Sequence, residues 1–190
     1  NLGVNRQNDR GNSTAGKISF DGNNRIQVGP KDIFIGYNTF TSANVGTELT
    51  FVGTNAGNAN TTGVSSTALG YYALYLNTIG TSNVAVGRYT LAVNTEGSSN
   101  VAVGNNALSS TNTGSWNTGV GHWAGIKNTT GTYNIFLGHY AGQNLSQKVD
   151  ATNSIAIGSS TYTTASNQIV LGNTSIIETQ LQGNILVGIT

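Results

Sequence analysis

The chain has 190 residues, of which only 8% are charged, and its formal net charge is +1 at pH 7. This balance gives no electrostatic reason to expect nucleic acid or an anionic membrane surface as a partner. The absence of cysteine excludes a disulfide scaffold and a thiolate metal site. No stretch approaches the ~20 apolar residues of a membrane span, so membrane insertion is not expected either.

Residues 1–31 differ from the rest of the chain. Residues 1–16 are polar and lack an apolar rhythm, which predicts a flexible leader or linker, or alternatively a segment that inserts into a neighbouring subunit. Two alternating segments, 17–20 and 25–29, flank a turn signal at 21–24. We expect residues 1–31 to form a polar leader and an irregular coil that caps the array behind it.

Residues 32–148 follow a 17-residue period. The segment Asn-Val-Ala-Val-Gly occurs at 83–87 and again at 100–104. A first glycine column lies at Gly36, Gly53, Gly70, Gly87, Gly104, Gly121 and Gly138, and a second at Gly46, Gly63, Gly80, Gly97, Gly114 and Gly131. A fixed period with one short apolar strand per repeat is typical of a solenoid. Because such a unit is too short for a strand plus a crossover helix, an all-β roll or β-helix is predicted.

A mostly apolar triplet precedes each glycine of the first column, and its middle residue is Phe, Ala or Gly. Because neighbours in a strand point to opposite faces, we expect the outer two residues to fill the coil and the middle one to face outward. An uncharged outward face needs a cover, for which a second copy of the chain is the economical candidate. The oligomer interface is therefore predicted at Phe34, Phe51, Ala68, Ala85, Ala102, Gly119 and Phe136.

The period changes near the end of the chain. The segments at 153–158 and 167–172 follow one another at a 14-residue interval, which indicates a coil that has lost its long corner. Residues 176–188 are predicted to be extended segments that leave the array. Residues 149–190 are therefore expected to form a 14-residue coil and an extended exit segment.

Asparagines recur in two further columns with the same period as the glycines. We expect amide ladders that join coil to coil and satisfy the backbone at the corners. These columns are Asn83, Asn100, Asn117 and Asn134, and Asn60, Asn77, Asn94 and Asn128.

Aromatic residues recur two positions after the glycines of the first column. Ring faces match the apolar faces of pyranoses, so one interpretation is a sugar-binding stripe. The other is stacking between coils that stabilises the roll or packs against another chain. The stripe consists of Tyr72, Tyr89, Trp123 and Tyr140.

Catalysis has little support in the sequence. The seven acidic residues are widely separated in the repeat frame, so no general acid/base pair is expected within one chain. His122 and His139 share a column one coil apart, which predicts a separation of ~5 Å. A metal site needs further ligands, and none lies in the neighbouring columns. We predict no catalytic residue, no metal and no cofactor.

The repeats resemble known families. Asn-Ser-Ile-Ala-Ile-Gly at 153–158, with a related segment one 14-residue interval later, resembles the head repeat of trimeric autotransporter adhesins. The 17-residue units, clearest at 70–80, are similar to repeats in phage tail fibres and related bacterial surface proteins. In many of these, a sequence similar to 167–188 precedes a C-terminal self-cleaving chaperone domain. The resemblance covers roughly residues 32–188 and implies a trimeric β-roll or β-helical shaft without catalytic residues.

The expected function is structural: a side-by-side homotrimeric shaft or head of an extracellular fibre, either a phage tail fibre or a cell-surface adhesin. One alternative is a subunit of a polymeric extracellular surface filament. The other is a carbohydrate-binding module that uses the Tyr/Trp stripe, with a cell-surface glycan as partner.

Overall fold

A computed structural model describes residues 16–21, 24–28, 30–39, 44–176 and 178. These residues contain eleven strands and no helix, and the strands form one sheet in chain order. The strands are β1 Gly16–Asp21, β2 Asn24–Val28, β3 Ile33–Tyr37, β4 Thr50–Val52, β5 Thr67–Leu69, β6 Val84–Val86, β7 Val101–Val103, β8 Thr118–Val120, β9 Ile135–Leu137, β10 Ile155–Ile157 and β11 Ile169–Leu171. The predicted all-β solenoid is confirmed. Residues 1–15 of the expected leader, 1–16, and most of the exit segment lie outside the described residues, while Gly16 begins β1.

The sheet begins with an antiparallel hairpin and continues as a parallel stack. Strands β1 and β2 pair with each other, and β2 pairs antiparallel with β3. Every later neighbouring pair is parallel. Where an irregular coil was expected, the array is therefore preceded by a hairpin that occupies the edge of β3.

The number of residues between paired strand positions takes three values along the array, one more than the sequence pattern predicted. The 17-residue interval holds from β3 to β9, and a 14-residue interval separates Ile155 from its partner Ile169. Both spacings were predicted. Between them, Ile135 pairs with Ile155, so the coil from β9 to β10 is a 20-residue coil. Gly142 still keeps the period, which places the three extra residues after it.

The middle residue of each triplet points into the coil, opposite to the prediction. Val101 and Val103 are each 37% exposed, whereas Ala102 between them is fully buried. The predicted oligomer-interface column is therefore wrong, because its members are covered by their own chain. These core residues are Phe34, Phe51, Ala68, Ala85, Ala102, Gly119 and Phe136.

In five coils the core is filled by matching a strand residue with the residue six positions later. In the coil of β8 both positions are glycine, and Leu108 of the preceding coil occupies the space, its Cγ 2.7 Å from where a Cβ on Gly119 would lie. Where the strand residue is Ala68, Ala85 or Ala102, the later residue is a buried leucine: Leu74, Leu91 and Leu108. Where it is Phe51 or Phe136, the later residue is glycine. A Cβ on Gly57 would lie 2.2 Å from the Phe51 ring, and a Cβ on Gly142 would lie 2.5 Å from the Phe136 ring. Each of these coils therefore has room for one large side chain.

Both glycine columns are required by close contact between coils. A Cβ on Gly87, whose φ is 130°, would lie 2.7 Å from the carbonyl oxygen of Gly104. A Cβ on Gly97 would lie 2.3 Å from the carbonyl oxygen of Gly114. Any side chain at these positions would push neighbouring coils apart and break the hydrogen bonds between them.

The predicted amide ladder along Asn83, Asn100, Asn117 and Asn134 is confirmed. The Oδ1 atom of Asn100 accepts from the backbone nitrogen of Asn117 at 3.0 Å and from its Nδ2 at 3.1 Å. The Nδ2 atom of Asn100 donates to the Gly114 carbonyl at 2.9 Å. All four amides are fully buried, so this ladder satisfies polar backbone that water cannot reach.

The second amide ladder is interrupted. Nδ2 of Asn77 donates to Oδ1 of Asn60 at 2.8 Å, and Nδ2 of Asn94 donates to Oδ1 of Asn77 at 2.7 Å. The next position in the column is Thr111, whose hydroxyl donates to the Asn128 carbonyl instead. Among the described residues, Asn94 Oδ1 is the buried side-chain atom left without a hydrogen-bond partner.

Thr111→Asn is expected to stabilise the protein by about 1–2 kcal/mol, because it supplies the donor that Asn94 Oδ1 lacks. Gly114 leaves space for an asparagine at position 111, as the equivalent Gly97 does for Asn94. Urea unfolding followed by circular dichroism measures the effect. Thr111→Val is the control: it removes the bond to the Asn128 carbonyl, adds no donor and is expected to destabilise. An unfolding midpoint for T111N no higher than that of the native chain contradicts the ladder interpretation.

Exchanging the core pair Phe51/Gly57 for the pair found one coil later tests the size matching. Phe51→Ala alone is expected to cost about 3–5 kcal/mol through the cavity it leaves. Gly57→Leu alone is expected to destabilise through overlap with the Phe51 ring. The double variant reproduces the Ala68/Leu74 pair, and Leu74 has a φ of 51°, close to the 59° of Gly57.

The double variant is therefore expected to recover more than half of the summed losses. A double-mutant cycle of unfolding free energies measures this coupling. Additive losses would show that the two positions do not share one space.

Candidate functional site

The outward face of the parallel strands is a continuous apolar strip, which we call the outer face. It consists of Ile33, Ile35, Thr50, Val52, Thr67, Leu69, Val84, Val86, Val101, Val103, Thr118, Val120, Ile135, Leu137, Ile155, Ile157, Ile169 and Leu171. None of these residues is charged, and exposure reaches 47% at Leu69 and 67% at Ile169. Nine strands at ~4.8 Å spacing and ~10 Å width give a strip on the order of 400 Å² in projection. Contiguous apolar surface of this size marks interaction sites in soluble proteins.

Four of the charged side chains form two ion pairs. Among the described residues, Lys31 pairs with Glu48 at 3.2 Å and Lys148 with Asp150 at 2.6 Å. Hydrogen bonds from the Ser65 hydroxyl and then from Lys31 hold the pKa of Glu48 below its usual value. A hydrogen bond from Lys148 does the same for the pKa of Asp150. A lowered pKa makes each carboxylate a weaker base, which suits neither to general acid/base catalysis near neutral pH.

The predicted aromatic stripe is present, but it is divided into two groups. The ring centroids of Tyr72 and Tyr89 are 5.3 Å apart, and those of Trp123 and Tyr140 are 5.4 Å apart. All four side chains are half-buried at the end of the strands. Asn106 occupies the column position between Tyr89 and Trp123.

The first group is extended by three neighbours. Tyr71 and Tyr75 each lie 4.5 Å from the Tyr72 ring, centroid to centroid. The Arg88 guanidinium lies 4.4 Å from the Tyr89 centroid and 5.8 Å from that of Tyr71, a cation–π arrangement. Partial burial, and then the proximity of Tyr72 and Tyr89, raise the pKa of Tyr71 above its usual value. These contacts show that stacking between coils is one role of the stripe.

The second group contains the two histidines. The rings of His122 and His139 stack with centroids 5.4 Å apart and an interplanar angle of 15°, in agreement with the predicted separation. Trp123 stacks beside His122 at 5.5 Å, and Tyr140 packs on His139 at 3.9 Å. Across the described part of the chain, no group of three or more His, Cys, Asp or Glu side chains is arranged to hold a metal ion.

A further aromatic pair was not singled out by the sequence. Trp116 and Tyr133 stack in parallel, with centroids 4.9 Å apart and an angle of 3°, and both are more than half exposed. They precede β8 and β9, whereas the second group follows those strands. The 17-residue interval between them was the available signal. That signal is weak, because the same column holds Ser65, Ser82 and Ser99 in earlier coils.

Comparison with known proteins adds no relative. No family model matches the chain, and neither the curated proteins nor the solved structures contain a significant match. The described residues include no helix long and apolar enough to cross a membrane. The class defined here is a β-solenoid with one uncharged apolar face and aromatic flanks. The resemblance to adhesin heads and tail fibres remains a prediction.

Proposed function

We propose that the chain is a non-enzymatic structural segment of an extracellular fibre, assembled from side-by-side copies of itself. The observation that carries this proposal is the outer face, an exposed apolar strip that runs along the parallel strands. A homotrimer is the form implied by the resemblance to tail fibres and adhesin heads. Such an assembly would form either the shaft of a fibre or the head of an adhesin.

Stiffness along the solenoid supports a mechanical role. Around one part of the array, Val84 N donates to Asn100 O at 2.8 Å, Tyr89 N to Tyr71 O at 2.9 Å and Leu91 N to Ala107 O at 3.1 Å. The buried amide ladder adds further bonds in the same direction. Because each coil is bonded to both neighbours around its circumference, bending requires several bonds to lengthen together.

A second copy of the chain fits the outer face better than an unrelated partner. The outer-face residues recur at the coil spacing in every copy. Two copies laid side by side can therefore pair their outer faces coil by coil, and no unpaired charge is buried between them. A stable interface buries about 800 Å² on each partner. The strip alone, on the order of 400 Å² in projection, is smaller than that area. The aromatic flanks are thus expected to border the contact.

The mass of the chain in dilute solution tests this assembly. Light scattering on a sizing column is expected to give a mass near three times 19.6 kDa. Val103→Glu places a charge at the centre of the outer face and is expected to lower the mass toward that of one chain. Thr113→Glu is the matched control, because Glu96 occupies the same exposed corner one coil earlier, and it is expected to leave the mass unchanged.

Circular dichroism on each variant separates dissociation from unfolding. A native chain that runs as a monomer overturns the proposed assembly. Growing, polydisperse species would replace the closed trimer with a polymeric filament, in which V103E is expected to stop growth.

A further inference from the structure

The aromatic stripe has a break at the coil that carries Asn105 and Asn106. Tyr89 lies one coil before this break and Trp123 one coil after it. Two coil spacings separate them, which is about 9–10 Å along the solenoid. Among the described residues, the ring contacts of Tyr89 are with Tyr71 and Tyr72, and those of Trp123 are with His122 and Tyr140. No ring contact crosses the break in this part of the described chain.

The break is not imposed by the backbone. Asn106 has a φ of 57°, and Tyr72 and Tyr89 occupy the same column with φ values of 58° and 55°. A tyrosine is therefore compatible with this position. Instead the Asn106 amide donates a hydrogen bond to the amide oxygen of Asn105, and both side chains are half-buried. Because asparagine is much shorter than tyrosine, Asn106 fills less of the space between Tyr89 and Trp123 than a ring in the column would. We call this space the cleft.

The dimensions and chemistry of the cleft define what it can hold. Carbon surfaces in contact lie about 3.5–4.0 Å apart, so walls separated by two coils leave room for one saturated six-membered ring. The floor presents two amides, and Arg88 and His122 border it, which together supply hydrogen-bond donors and acceptors. An apolar ligand would cover the donors and acceptors of these groups that the bond between Asn106 and Asn105 leaves unused. A pyranose offers C–H surfaces toward the walls and hydroxyls toward the floor.

We propose that the cleft is a saccharide subsite that holds one pyranose ring between Tyr89 and Trp123 above Asn105 and Asn106. This role is separate from the assembly, because the outer face makes the contact between copies and the cleft lies on the aromatic flank that borders it. It also differs from a uniform sugar-binding stripe, because it assigns binding to the one coil where the aromatic column is absent.

Saturation-transfer NMR with individual sugars tests the cleft. The probes are D-glucose, D-galactose, N-acetyl-D-glucosamine and D-glucuronate, each added to the native chain and to three variants. At least one probe is expected to show transfer to its ring protons with the native chain. Asn106→Tyr fills the cleft with a residue the column already accommodates, and Trp123→Ala removes a wall. Each is expected to weaken binding at least tenfold.

Trp116→Phe is the matched control, since it alters the other tryptophan, which lies before β8 rather than after it. It is expected to bind as the native chain does. Thermal melting of N106Y confirms that the solenoid is intact, and light scattering on the same samples keeps loss of assembly distinguishable from loss of binding. The proposal is overturned if no probe binds, if N106Y binds as well as the native chain, or if W116F alone abolishes binding.

Discussion

The close stacking of one glycine on the next is the constraint on which the rest of the structure depends. A Cβ on Gly70 would lie 2.4 Å from the carbonyl oxygen of Gly87, so neighbouring coils meet backbone to backbone there. Strand pairing and the amide ladders all require this spacing. Because a residue omitted from one coil would move every later side chain to a new column, the 17-residue period must be held wherever the columns matter. Among the described residues it is relaxed only after β9, where Ser154 takes the next position of the amide column and its backbone nitrogen donates to Asn134 Oδ1 at 3.0 Å.

Because the solenoid is thin, few apolar side chains fit inside each coil and the others lie on its outer face. One large side chain fills the interior of a coil, as Leu91 does opposite Ala85, and buried asparagines occupy much of the remaining interior. Such a core buries little apolar surface for its length, and the apolar residues that a globular domain would bury remain on the outer face. The hydrophobic effect is therefore only partly used within one chain. Association through that face is the route by which the remaining part would contribute to stability.

Much of the fold could be predicted because the period is visible in the sequence. The columns, the 14-residue coil, the amide ladder through Asn100 and the neighbouring histidines all follow from counting residues. The inside and the outside could not be assigned from alternation, since Val101, Ala102 and Val103 are all uncharged. The deciding information is the pairing of Phe51 with Gly57, which belong to different columns and show their relation only once the coil is closed.

In the candidate site, the pairing of Trp116 with Tyr133 also follows from the period, but the three serines that precede Trp116 in its column give no indication of an aromatic pair. Two positions interrupt a column of the repeat, and each indicates something about stability or function. Thr111 breaks a buried amide ladder, and the carbonyl of Asn94 is left without a donor where water cannot replace it. Asn106 breaks an aromatic column at the surface, where its amide finds a partner in Asn105 and no polar group is stranded. The first break destabilises the fold and leaves no opening on the surface. The second is compatible with the fold and leaves the aromatic column one ring short at the surface. A break in the core therefore affects stability, whereas a break at the surface is a candidate for recognition.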